Sequence, residues 1–152
     1  MINESTEAMK GPRTESRVFR IDGERAMIEF GQSLALDLDS HELVFVKGDL
    51  GAGKTTLVRG ILMGLGHQGS VPSPTFTLVE PYDINDLVVY HLDLYRLESP
   101  HELDMLGARD FIGMNLCLIE WPERGAGWLP KADRVIEIRG SAAVYRDVTV
   151  IS

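Results

Sequence analysis

The sequence contains one cysteine, Cys117, in 152 residues. A disulfide framework is therefore excluded, and with no cysteine pair a cysteine-based zinc site is too. Four histidines, His41, His67, His91 and His101, stand at no metal-ligand spacing. No apolar run approaches the roughly 20 residues of a membrane span; the longest, such as Leu43 to Val46, are strand-sized. The opening "MINESTEAMKGPRTES" is polar and lacks the apolar stretch of a signal peptide. Positive charge is also scarce. The formal net charge is −8 and the sequence pI is near 4.9. The one loose basic cluster, Lys10, Arg13, Arg17 and Arg20, sits at the edge of the polar opening. A chain that grips nucleic acid unaided needs a basic face to displace counterions from phosphates, so direct RNA or DNA binding is disfavoured. A reducing, cytoplasmic setting without a membrane fits these absences.

What is present is a core. Hydrophobic residues make up 44% of the chain, which suits one domain, read here as residues 18–152 behind a polar tail of residues 1–17. Val18 to Ile21 reads as a first strand. Asp22 is a candidate N-cap for a helix with Met27, Phe30, Leu34 and Leu38 at helical spacing. "ELVFVKG" is a strand running into a glycine-rich turn, and Leu57, Val58, Ile61, Leu62 and Leu65 form one helical face ending near Gly66. "TFTLVEPY" and "LVVYHLDLY" read as a hairpin around "DIND". Ser99-Pro100-His101-Glu102 is a capping box that starts a short helix to about Gly107. "LCLI" is a buried strand, and "RVIEI" and "VYRDVTVI" form a closing pair. Alternating strands and helices followed by hairpins indicate an α/β, P-loop NTPase-like three-layer sandwich with a mixed β-sheet.

"GDLGAGKT", Gly48 to Thr55, matches G-x-x-x-x-G-K-[ST] in full, with a strand before it and an amphipathic helix after it. The glycines let successive N–H groups turn inward as an anion nest at a helix N-terminus. Lys54 supplies a point charge to the β- and γ-phosphates, and the Thr55 hydroxyl is a ligand for Mg²⁺. Four fixed positions match by chance in roughly one chain of this length in a hundred or fewer. No Asn-Lys-x-Asp tetrad for guanine is present, "PKAD" being the nearest approach, so ATP is favoured over GTP. Glu24, near the start of the first helix, is a weaker candidate for the adenine amine. Asp93 and Glu120 end two strands, where carboxylates can hold Mg²⁺ and align a nucleophile. Ser73 and Thr75, in the stiff "SVPSPTF" loop, offer hydroxyls that can sense a γ-phosphate or its metal.

Four motifs in one order, "GDLGAGKTT", "SPTFTLVEPY", "HLDLYRL" and "LIEWPERG", resemble the bacterial TsaE family over residues 20–138. The resemblance implies a small ATPase that uses ATP/ADP and Mg²⁺ and is feeble alone. It implies partnership with TsaB and TsaD, which place threonylcarbamoyl on an adenosine next to the tRNA anticodon, ATP hydrolysis resetting that complex. Transfer RNA would then be reached only through the complex, as the acidic charge also suggests. By motif position, Gly48, Asp49, Leu50, Gly51, Ala52, Gly53, Lys54, Thr55 and Thr56 would bind the nucleotide. Lys54, Asp93 and Glu120 would serve catalysis. Thr55 and Glu120 would bind Mg²⁺, with Asp93 beside the metal or on its water. Ser73 and Thr75 would form a switch-like loop, and Trp121 would belong to a mobile loop near the nucleotide. Met27 stands where many members carry threonine, which leaves the adenine-side contacts open, Glu24 included.

Two other readings stay open at this level. One is a small-molecule or nucleoside kinase, although Arg59, Arg96 and Arg109 are scattered and the insert "HELDML" is short and acidic. The other is a scaffold in which ATP only orders a partner surface.

Overall fold

A computed structural model describes residues 15–140 and 145–152. The polar tail expected for residues 1–17 lies outside the described residues as far as residue 14. Ser16 and Arg17 already belong to the first strand.

Among the described residues, seven strands form one mixed sheet: β1 (Ser16–Ile21), β2 (Leu43–Gly48), β3 (Val79–Ile84), β4 (Leu87–Asp93), β5 (Leu116–Glu120), β6 (Arg134–Arg139) and β7 (Arg146–Ile151). Their spatial order is β1-β7-β6-β2-β5-β4-β3. The middle strands β6, β2, β5 and β4 run parallel. Antiparallel strands flank them, the β3–β4 hairpin on one side and β7 with β1 on the other. Strands of period two, buried on both faces, send alternate residues to two cores. Val44, Val46, Val89, Leu116, Leu118 and Ile136 face the helices α1 (Gly23–Leu34) and α2 (Lys54–Leu65). Leu43, Leu92, Cys117 and Ile119 face the opposite layer, where the short α3 (Glu102–Met105) brings Leu103 and the following turns bring Ala108 and Phe111. Cys117 is fully buried, and burial pushes its thiol up to about 12, as befits a small core residue.

The two helices on the first face touch backbone to backbone. A Cβ added at Gly31 would lie 2.6 Å from the Leu57 carbonyl oxygen, and one at Gly64 would lie 2.7 Å from that of Gln32. At Gly60 it would strike the carbonyl of Ile28. Glycine is tolerated here, despite its poor helix propensity, because no side chain fits between the backbones. The close approach brings the start of α1 down onto the start of α2, with the Met27 side chain beside Gly53.

Local chemistry departs from the sequence expectation at four places. Asp22 occupies the N-cap of α1 with extended backbone, but its side chain caps no amide. Only half of the expected capping box forms. The Glu102 carboxylate accepts the N–H groups of Glu98 at 2.7 Å and Ser99 at 3.0 Å, while the Ser99 hydroxyl takes the His101 N–H at 3.4 Å instead of the Glu102 one. The third strand starts at Val79, not Thr75, because Leu78 takes a left-handed φ of 67° and its N–H closes a turn onto the Pro74 carbonyl at 2.8 Å. The hairpin turn narrows to Asn85-Asp86, both at positive φ, as a two-residue primed turn requires.

Gly60→Ala tests the helix contact. Helix propensity alone would stabilise the variant by about 1 kcal/mol, whereas a methyl driven into the Ile28 backbone destabilises it by about 1–3 kcal/mol net. Urea denaturation is expected to show the loss; a gain in stability would mean that the helices stand further apart.

Candidate functional site

Because β4, β5 and β2 are parallel and in register, their C-terminal ends arrive together. Asp93 pairs with Glu120, and Glu120 with Val46, two residues before the glycine-rich turn. Parity then decides direction. Glu120 lies two residues past Leu118, and Asp93 four past Val89, so both carboxylates face the layer of α1 and α2. The N-terminus of α2 meets them there. Of the five buried polar or charged residues among those described, four lie at this one end: Lys54, His91, Asp93 and Glu120. The fifth, Glu42, pairs with Arg134 at 3.0 Å elsewhere.

The loop from Gly48 to Gly53 wraps through left-handed backbone at Gly51 (φ 76°) and Gly53 (φ 106°), conformations that glycine adopts without steric cost. Lys54 folds back under the loop and donates to the carbonyls of Gly48 at 2.6 Å and Asp49 at 2.7 Å. Arg146, from the last strand, donates to the carbonyls of Ala52 at 3.1 Å and Gly51 at 3.4 Å and so braces the loop from outside. With these carbonyls engaged, and with the Ala52 N–H bonded to the Asp49 carbonyl at 3.0 Å, the loop is fixed ahead of the N-terminus of α2, an end that favours an anion.

The Thr55 hydroxyl stands 3.1 Å from both oxygens of Glu120. His91 reaches the Glu120 Oε2 with Nε2 at 2.6 Å; toward an ionised carboxylate, which only accepts, Nε2 is the donor. On the next strand, the Ser73 and Thr75 hydroxyls lie 3.4 Å and 3.3 Å from Asp93 Oδ2 and 2.8 Å from each other, so one donates to the carboxylate while the other donates to its neighbour hydroxyl or to the carboxylate in turn. Asp93 Oδ1 accepts the Tyr95 N–H at 3.0 Å. Tyr95 packs against Trp121 with ring centroids 5.0 Å apart, and the Trp121 ring lies 4.5 Å from the Lys54 ammonium. Trp121 holds left-handed backbone at φ 56°, which costs about 1–2 kcal/mol. An open groove of about 440 Å³ continues along Trp121, between Gly48 and Asp49 on one side and residues 137–140 on the other.

Lys54, Thr55, Ser73, Thr75, Asp93, Glu120 and Trp121 are thus gathered into one crevice. Leu50 lies exposed on the loop and Thr56 half-buried in α2. Glu24 stands apart, exposed and 3.5 Å from Arg59. Sequence reasoning missed His91 and Arg146. The period-two pattern of "HLD" puts His91 on the same face as Asp93 and could have found the first. Nothing local announces Arg146, which arrives from 94 residues beyond Ala52.

Burial pulls the Lys54 ammonium below the ordinary lysine value of 10.5; the nearby Glu120 and Asp93 charges oppose the shift without cancelling it. A lowered value means that the proton leaves at a lower pH than in an exposed lysine. A phosphate ligand needs the charged form. Affinity for a nucleoside triphosphate is therefore expected to fall with rising pH from below 10.5 in the wild type and to be weak and flat in Lys54→Ala. A wild-type profile that stays level up to pH 10.5 would contradict this electrostatic account.

Comparison with known proteins points one way. The family model for threonylcarbamoyl adenosine biosynthesis protein TsaE matches residues 21–148. The tRNA threonylcarbamoyladenosine biosynthesis protein TsaE of Haemophilus influenzae is 49% identical over 130 residues, 82% of either chain. That of Treponema pallidum is 41% identical over 74% of this chain and 84% of its own, and that of Bacillus subtilis 38% over 71% and 68%. Among solved structures, YdiB of Bacillus subtilis superposes with a TM-score of 0.76 at 27% identity, covering 93% of this chain and 88% of that one. The chain belongs to the TsaE family.

Proposed function

We propose that this protein binds ATP with Mg²⁺, hydrolyses it slowly, and works with TsaB and TsaD in forming threonylcarbamoyladenosine next to the tRNA anticodon, hydrolysis resetting the complex. One observation carries the reading. A glycine-rich loop and the first two residues of α2, Lys54 and Thr55, meet the buried carboxylates Asp93 and Glu120 at the C-terminal edge of four parallel strands. Membership of the TsaE family supplies the pathway.

The donor set suits Mg²⁺. This ion is held by one or two carboxylates together with phosphate oxygens and water, not by a dedicated cage of side chains. Thr55 and Glu120 offer hard oxygens side by side, and among the described residues no group of three or more His, Cys, Asp or Glu forms a cage. When bound, Mg²⁺ would neutralise charge on the phosphates. The chain's own groups would do the rest. Loop amides and the Lys54 ammonium would hold the phosphate oxygens. Thr55 and Glu120 would hold the metal. Asp93, oriented by Ser73, Thr75 and the Tyr95 amide, would accept a proton from water and aim it. Trp121, beside the Lys54 ammonium, would shift as phosphates draw that ammonium away.

The acidic surface fits this role. With a net charge of −8, the chain would reach tRNA through partners rather than through its own phosphate contacts. Among the described residues no helix is long and apolar enough to cross a membrane.

Phosphate release tests the proposal. The expected result is slow release by the protein alone, faster release with TsaB and TsaD, and a loss of at least about 100-fold in Lys54→Ala, the scale of removing a transition-state donor. Undiminished turnover in Lys54→Ala would refute the site. A phosphorylated acceptor in place of free phosphate would identify a kinase instead.

A further inference from the structure

Among the described residues, His91 is the largest polar side chain with no exposed surface. It stands near the C-terminal end of β4, between β3 and β5, opposite Leu118 of β5. Leucine would suit such a place better, because a buried imidazole must satisfy two nitrogens. This one satisfies only one. Nε2 meets Glu120 at 2.6 Å, while Nδ1 is buried with no hydrogen-bond partner among the described residues. Among the described residues, the one polar contact of the His91 side chain is the Glu120 carboxylate.

The geometry says what the contact does. Glu120 accepts from two directions, His91 on Oε2 alone and Thr55 at equal distances from both oxygens. The His91 bond blocks rotation of the carboxylate about its last torsion, which is otherwise broad. It also directs the Glu120 oxygens toward Thr55 rather than toward the neighbouring ammonium of Lys54, whose hydrogen bonds go to the Gly48 and Asp49 carbonyls.

We infer that His91 is a positioning residue, which orients the Glu120 carboxylate so that it and the Thr55 hydroxyl present their oxygens together to Mg²⁺. The inference rests on the proposed reading of Glu120 as a metal ligand. Partners that orient a ligand in this way usually carry 10–100-fold in metal affinity.

The test is the affinity of a fluorescent ATP analogue, titrated at increasing Mg²⁺, in wild type, His91→Leu, His91→Gln and Glu120→Gln. His91→Leu removes the donor at similar volume. His91→Gln returns an N–H close to the Nε2 position. In His91→Leu the Mg²⁺ midpoint is expected to rise about 10-fold or more, with metal-free affinity within about 2-fold of wild type and most of the shift restored in His91→Gln. A merely structural role would lower stability in urea and leave the Mg²⁺ midpoint in place. A wild-type midpoint in His91→Leu, together with a raised one in Glu120→Gln, would overturn the inference alone. An unchanged midpoint in Glu120→Gln would overturn the metal reading and the inference with it. Should the variants fail to fold, nitrogen-15 NMR of the wild-type imidazole decides. Protonated Nε2 and bare Nδ1 are expected, with the Nε2–H resonance moving when Mg²⁺ joins the nucleotide and not with nucleotide alone. The opposite tautomer, or a resonance indifferent to Mg²⁺, would refute it.

Discussion

Asp93 and Glu120 stand next to each other on adjacent parallel strands, both buried. Two carboxylates so placed repel each other and have lost most of their water, and each would be costly if left without partners. Much of the architecture at this end of the sheet answers that constraint. Thr55 and His91 serve Glu120; Ser73, Thr75 and the Tyr95 amide serve Asp93. Lys54 supplies the compensating positive charge, although burial weakens its own hold on the proton. Like charges concentrated this way contribute little to folding and mark this end of the sheet as a candidate functional site.

The rest of the fold serves to bring that cluster together. Parallel strands deliver their C-terminal ends to one edge, where α/β proteins bind ligands. The glycines of α1 and α2 let two helices approach until the start of α1 rests on the loop. Arg146 ties the loop to the last strand, at the far end of the sequence. Removing any of these supports would leave the same residues in the chain and scatter them in space.

Much of this was legible beforehand. The step from β2 through the loop into α2 was readable because phosphate-binding loops demand glycine, lysine and threonine at fixed spacing. Glu120 and Asp93 were readable as polar ends of buried strands once that loop gave them a target. The mixed sheet followed from helices early and hairpins late. What escaped depended on contacts remote in sequence or on backbone angles. Leu78 turned the Thr75 segment out of its strand and over Asp93, a left-handed residue that no leucine advertises. Asp22 looked like a cap and caps nothing. His91 was one histidine of four with no ligand spacing, and only its alternation with Asp93 marks it. Glu24 stays an exposed partner of Arg59, and among the described residues it has no comparable cluster of buried polar groups around it.

Thr55 and Glu120, joined across the α2–β5 contact, are proposed to hold one metal ion on a bound nucleotide. A double-mutant cycle tests it most directly: the Mg²⁺-dependent part of ATP affinity, measured calorimetrically for wild type, Thr55→Ala, Glu120→Ala and the pair. If both side chains hold the same ion, the losses are strongly non-additive, the second substitution costing little once the first is made. Additive losses, or an ATP affinity that ignores Mg²⁺ in the wild type, would contradict the account.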